Sequence, residues 1–220
     1  MMATTVVSAR SSKEQAKVEE RQRLLNDLLS AVKQCQIRFG GRSELATESD
    51  EHVANLCKCL EAVLSHGLRS KPLQTDSIIR EIVNNTFRYN SDAPCFWHYV
   101  KHYLTKHEQE RYQRLKKVWT DEGRGRAWLR SALNERSLAR YFLSILEKPS
   151  EAAVFYHEWA LILDQELNST LPNMAAGLGP ILFAIGIDDS RFNQVHEETD
   201  AMYLSRSEPI LAVPYEGKLT

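Results

Sequence analysis

With 220 residues, 43% of them apolar, and a formal net charge of −1, the chain has enough apolar side chains to bury roughly 70% of its unfolded surface without a disulfide or metal staple. Near-neutral charge argues against indiscriminate nucleic-acid binding. The longest apolar run, Ile181 to Ile187, is far too short to span a bilayer. Cys35, Cys57, Cys59 and Cys95 show no paired C-x-x-C spacing. Together with a polar N-terminus that lacks a signal-peptide core, they predict reduced thiols in a soluble, cytoplasmic protein with no transmembrane segment.

In chain order, residues 1–16 are rich in Ser, Thr and charge and read as a flexible lead-in. An amphipathic helix is expected from near Lys17. Val18, Leu25, Val32 and Phe39 recur every seven residues, and Gly40-Gly41 supplies a left-handed stop. A second helix, after Thr47 or Ser49, carries Val53, Leu56, Leu60, Val63 and Leu64 on one face and ends at Gly67. A short third element is expected around Ser77 to Val83. Asp92 and Pro94 open a helix through Phe96, Trp97, Val100 and Leu104. Thr105 with Glu108 reads as a capping box, so another helix restarts there and runs towards Trp119.

From Arg126, the positions Trp128, Leu129, Ala132 and Leu133 form the next apolar stripe. Leu138, Tyr141, Phe142, Ile145 and Leu146 form one more, closed by Lys148-Pro149. A segment through Phe155, Tyr156, Trp159 and Leu163 precedes "STLPNMAAGLGPILFAIGI". There Ser169 or Thr170 is the cap, Pro172 sits in the first turn, and Gly179-Pro180 predicts a kink or break. No period-two run bounded by turn residues is evident, which predicts an all-α, single globular domain over residues 17–189, of about eight helices. Residues 190–220 lose the pattern and read as a tail or linker.

Few residues carry the signature of a reaction centre. His98 and His102 are one helical turn apart with Cys95 nearby, a weak metal-site signal without the Glu of a zincin. No G-x-S-x-G is present, and Gly123-Arg124-Gly125 lacks the following Lys-Ser/Thr of a phosphate loop. No enzyme, metal site or cofactor is predicted.

The distinctive stretch is "GRGRAWLRSALNERSL", residues 123–138, within a region from Lys101 to Lys148 where basic residues outnumber acidic ones about two to one. Arg126 and Arg130 are neighbours on one helical turn, and Arg124 sits between two glycines. Two roles suit them. Guanidinium forks can meet carboxylates on a partner, or Arg126 or Arg130 can cap carbonyls or pair inside the chain with Asp121, Glu122 or Glu135, with Trp128 in the core. A pure assembly module, using the heptad stripe of the first helix, is a further alternative.

The blocks "CKCLEAVLSHGLRS", "FWHYVKHYL", "DEGRGRAWLRSALNERSLARYF" and "MAAGLGPILFAI" occur in the order of the signature blocks of a RUN domain, which the chain resembles over about Gln22 to Asp189. The resemblance implies an all-α, non-catalytic adaptor that binds a small GTPase of the Rab, Rap or Arf-like groups in its GTP form and acts in vesicle trafficking. In some members it implies kinesin or other trafficking partners. It further implies that basic residues of the "HGL" and "GRxRAWLR" blocks meet the partner. By motif match these are His66, Arg69, Arg124, Arg126 and Arg130, on a cytoplasmic protein recruited to endosomal or vesicle membranes.

Overall fold

The computed structural model describes residues 2–73 and 94–194. Helix α1 spans Met2–Phe39. It begins well before Lys17 because nothing between breaks a helix, and side-chain pairs one turn apart, such as Gln15 with Glu19, continue its exposed face. Gly40 closes the last turn on the Gln36 carbonyl oxygen, and Gly41 takes the left-handed conformation at φ 70°. The heptad stripe is spent inside the chain. Leu25, Leu28, Val32, Cys35 and Phe39 are buried, and of the repeat only Val18 is exposed, at 43%.

The stripe packs on α2, Glu51–Ser65, whose Val53, Leu56, Leu60, Val63 and Leu64 are all buried. Asp50 caps this helix by accepting from the His52 N–H. Gly67 stops it at φ 74°. A Cβ there would lie 2.5 Å from that of Ala160, so glycine is required by backbone and by packing alike. The element expected around Ser77 to Val83 lies outside the described residues.

Helix α3, Trp97–Val100, runs on as a short 3-10 turn, Lys101–Tyr103. Both halves of the Thr105 and Glu108 capping box are formed at the start of α4, Lys106–Gln113. This helix stops short of Trp119. The amides of Lys116 and Lys117 donate to the Asp188 carboxylate rather than to carbonyls one turn back. Helix α5 covers Asp121–Asn134, α6 Leu138–Leu146 and α7 Pro149–Phe155. Arg136, at φ 55°, makes the turn between α5 and α6.

Helix α8, Gln165–Asn168, and α9, Leu171–Ala176, follow a 3-10 turn at Leu161–Leu163. Pro172 lies in the first turn of α9, which packs on α6. The fold is all-α, with one small addition. Strand β1, Leu45–Ala46, pairs in parallel with β2, Leu182–Phe183. Two residues per strand leave no alternation to read, so this ladder was invisible to periodicity. The packed chain also continues past Asp189. A 3-10 turn at Ser190–Asn193 buries Phe192 against α5.

Candidate functional site

Helix α5 is the centre of the basic block, and it starts at Asp121 rather than near Arg126. Thr120 accepts from the Gly123 amide as N-cap, and Asp121 and Glu122 place negative charge at the positive end of the helix dipole. Gly123-Arg124-Gly125 is therefore the first turns of a helix. The glycines serve close packing within the fold. A Cβ on Gly125 would come within 2.9 Å of the Phe96 ring, and one on Gly123 within 2.8 Å of Val118.

The three arginines of α5 are buried, each exposing 6–9% of its surface, and all meet acids or carbonyls of the same chain. Arg124 donates to Asp121 Oδ1 at 2.5 Å, and the other carboxylate oxygen of Asp121 receives His98 Nε2 at 2.8 Å. Burial pushes the Asp121 carboxyl up, but the hydrogen bonds from His98 and Arg124 outweigh it and hold the group below its ordinary range. Arg126 Nε donates to Glu61 Oε1 at 2.7 Å, and its Nη1 donates to the carbonyl oxygens of Phe192 and Gln194. Arg130 forms a forked pair with Glu48, donates to the Arg126 carbonyl oxygen, and lies 4.2 Å above the Phe192 ring. Burial works against the Arg130 charge, but the Glu48 carboxylate raises its pKa.

His66 and Arg69 belong to a second cluster. His66 is buried, and its Nδ1 accepts from the Leu161 amide at 2.9 Å, so the ring proton sits on Nε2, which faces Glu20 at 3.8 Å. Arg69, half-buried, donates from Nε to the Tyr156 carbonyl oxygen and places Nη1 3.2 Å from His157 Nδ1. The five residues thus fall into three local groups: Arg126 with Arg130, Arg124 on the Asp121 carboxylate, and His66 with Arg69 on the segment 156–161. An open basic edge is not what the fold builds. The carboxylates of Glu48, Glu61 and Asp121 neutralise it from within.

Of the acids expected to pair with Arg126 or Arg130, Asp121 is met by Arg124 and Glu135 by Arg111 instead, whereas Arg126 does reach carbonyls, those of Phe192 and Gln194. Glu48 and Glu61 lie 82 and 65 residues from their arginines, so no local spacing signals them. The same holds for Asp188 and Asn193. The Asn193 carboxamide oxygen accepts from the amides of Trp119 and Thr120, and its nitrogen donates to the Lys117 carbonyl oxygen.

The Cys95, His98 and His102 trio separates. His98 is engaged by Asp121, burial pushes the Cys95 thiol well up, and His102 packs against the Phe155 ring. Among the described residues no group of three or more His, Cys, Asp or Glu side chains is placed to hold a metal. Among them, too, no helix is long and apolar enough to cross a membrane.

The fold is all-α, and the basic block of α5 is built into its core. The RUN domain family model matches residues 55–189, more than half of the chain. The chain belongs to the RUN domain family, whose members are generally small-GTPase-interacting modules in trafficking rather than catalytic domains.

Proposed function

We propose that the chain is a small-GTPase effector or adaptor in endosomal and vesicle trafficking, engaging the GTP form of a Rab, Rap or Arf-like GTPase. The observation that carries this reading is the family match over residues 55–189. The signature blocks also resemble those of the RUN domain at the N-terminus of sorting nexin 29, which favours a role on endosomal membranes reached through a protein partner.

In this reading His66, Arg69, Arg124, Arg126 and Arg130 define the docking face from behind. Their guanidinium and imidazole groups are held by internal acids, carbonyls and amides, and what they offer a partner is the shape of the surface they brace. Burial of the α5 arginines supports this division of labour, because a cation already paired in a dry site gives up that pairing before it can meet a second carboxylate.

The test is binding of the purified chain to Rab, Rap and Arf-like GTPases, each loaded with a GTP analogue or with GDP, in parallel with Arg126→Glu. The expected result is selective binding to a GTP-loaded member, lost in Arg126→Glu together with a drop in melting temperature. Absence of nucleotide-selective binding to any of them would overturn the reading.

A further inference from the structure

The loop between α4 and α5 exposes Trp119 at 64%. A single exposed apolar side chain is ordinary on a protein surface. This one stands on backbone fixed at five points: Lys116 and Lys117 N–H donate to the Asp188 carboxylate at 3.1 and 2.7 Å, Trp119 and Thr120 N–H donate to Asn193 Oδ1 at 2.9 and 3.1 Å, and Asn193 Nδ2 donates to the Lys117 carbonyl oxygen at 2.8 Å. Val118 is buried beneath the loop, so the chain alternates Val118 in and Trp119 out. Lys116 and Lys117, both exposed, precede the indole.

This combination has a physical reading. A rigid tryptophan brings large contact area, and the entropy of ordering its backbone is already lost on folding, as at the anchor positions of interfaces. Two adjacent ammonium groups set the sign of the surface it meets. A lipid surface fits less well. Leu115 is half-buried and Val118 buried, which leaves one apolar side chain to insert, and the nearby carboxylates are already engaged, Asp188 by the Lys116 and Lys117 amides and Asp189 by Arg191.

We propose that the Lys116–Thr120 loop is a docking site for an acidic peptide segment of a partner protein, with Trp119 taking an apolar side chain and Lys116 and Lys117 taking the flanking carboxylates. The loop lies on surface that Arg126 braces through the 190–193 turn, but the proposal rests on the loop's own geometry and stands whichever GTPase, if any, the domain engages.

The experiment selects a displayed library of random peptides on the full chain, then measures the enriched peptides against Trp119→Ala and Lys116→Glu/Lys117→Glu, with melting curves for each. The expected result is enrichment of peptides bearing carboxylates beside an aliphatic or aromatic residue. Their affinity should fall about thirty-fold or more in Trp119→Ala and also fall in the lysine variant, with melting unchanged. Failure to enrich such peptides, or equal binding to Trp119→Ala, overturns the proposal. So does Trp119-dependent binding of the chain to phosphatidylcholine and phosphatidylserine vesicles, which would assign the loop to a lipid surface. GTPase binding that persists in both variants leaves the proposed function standing on its own.

Discussion

The guanidinium of Arg126 holds the backbone of Phe192: Nη1 donates to its carbonyl oxygen at 2.6 Å while Nε is paired with Glu61. Through this bond α5 fixes the 190–193 turn, and through Asn193 that turn fixes the loop carrying Trp119. Arg126→Met leaves Glu61, whose side chain is 18% exposed, without its cation, and leaves two carbonyls without their donor. Breaking such a pair costs about 2–4 kcal/mol after allowing for partial exposure of the acid. The melting temperature should fall by about 5–15 °C, and Arg126→Met/Glu61→Leu should recover part of the loss.

Gly67 and Gly41 share a left-handed backbone but not an environment. A Cβ at Gly41 meets nothing within 4 Å, whereas one at Gly67 strikes Ala160. Gly41→Ala should therefore cost only the conformational term, about 1–2 kcal/mol. Gly67→Ala should cost about 1–3 kcal/mol more from overpacking. Urea unfolding of the two variants gives the difference directly.

These particulars show what was readable beforehand. The stop at Gly67, the capping box of Thr105 and Glu108, and the break at Lys148-Pro149 depend on residues within a few positions of one another, and local chemistry announces them. The start of α5 was hidden because two glycines in a helix weaken its propensity, and their reason, the Phe96 ring and Val118, comes from elsewhere in the chain. The arginine partners Glu48 and Glu61 were hidden for the same cause. A basic block looks the same in sequence whether its counter-charges lie on another protein or on a distant turn of its own.

Acid sensitivity should have two limbs. Burial, with smaller contributions from Lys101 and His98, lowers the His102 pKa from 6.5 to about 4. Between those values the unfolded chain binds the proton that the folded chain refuses, so stability falls as pH drops from about 6.5 to about 4. His102→Phe, which keeps a ring against Phe155, should flatten that slope. Asp121 acts lower. Its folded pKa lies below the unfolded value near 3.8, so its contribution is complete above that value and is lost as pH falls through the folded pKa. Asp121→Asn should be less stable than the natural chain at neutral pH, and the two should converge in strong acid. Denaturant melts across pH check both limbs.

The thiols should separate by burial. Desolvation pushes Cys35 and Cys57 up to about 12 and Cys95 well above its ordinary value, while Cys59 is raised less and is only half-buried. Thiolate is the reactive form. A disulfide reagent at neutral pH should label Cys59 first, with Cys35, Cys57 and Cys95 reacting only as the chain unfolds. Mass spectrometry of quenched samples reads the order.

That the basic block is an internal clamp is tested most directly by amide hydrogen exchange in the natural chain and in Arg126→Met. Exchange is expected to quicken most at Trp119, Thr120 and the 190–194 segment, and at the α1 and α2 amides only by the amount that the global loss of stability accounts for. Unaltered protection of Trp119 and Thr120, accompanied by loss of GTPase binding, would contradict the account and make Arg126 itself the group that touches the partner.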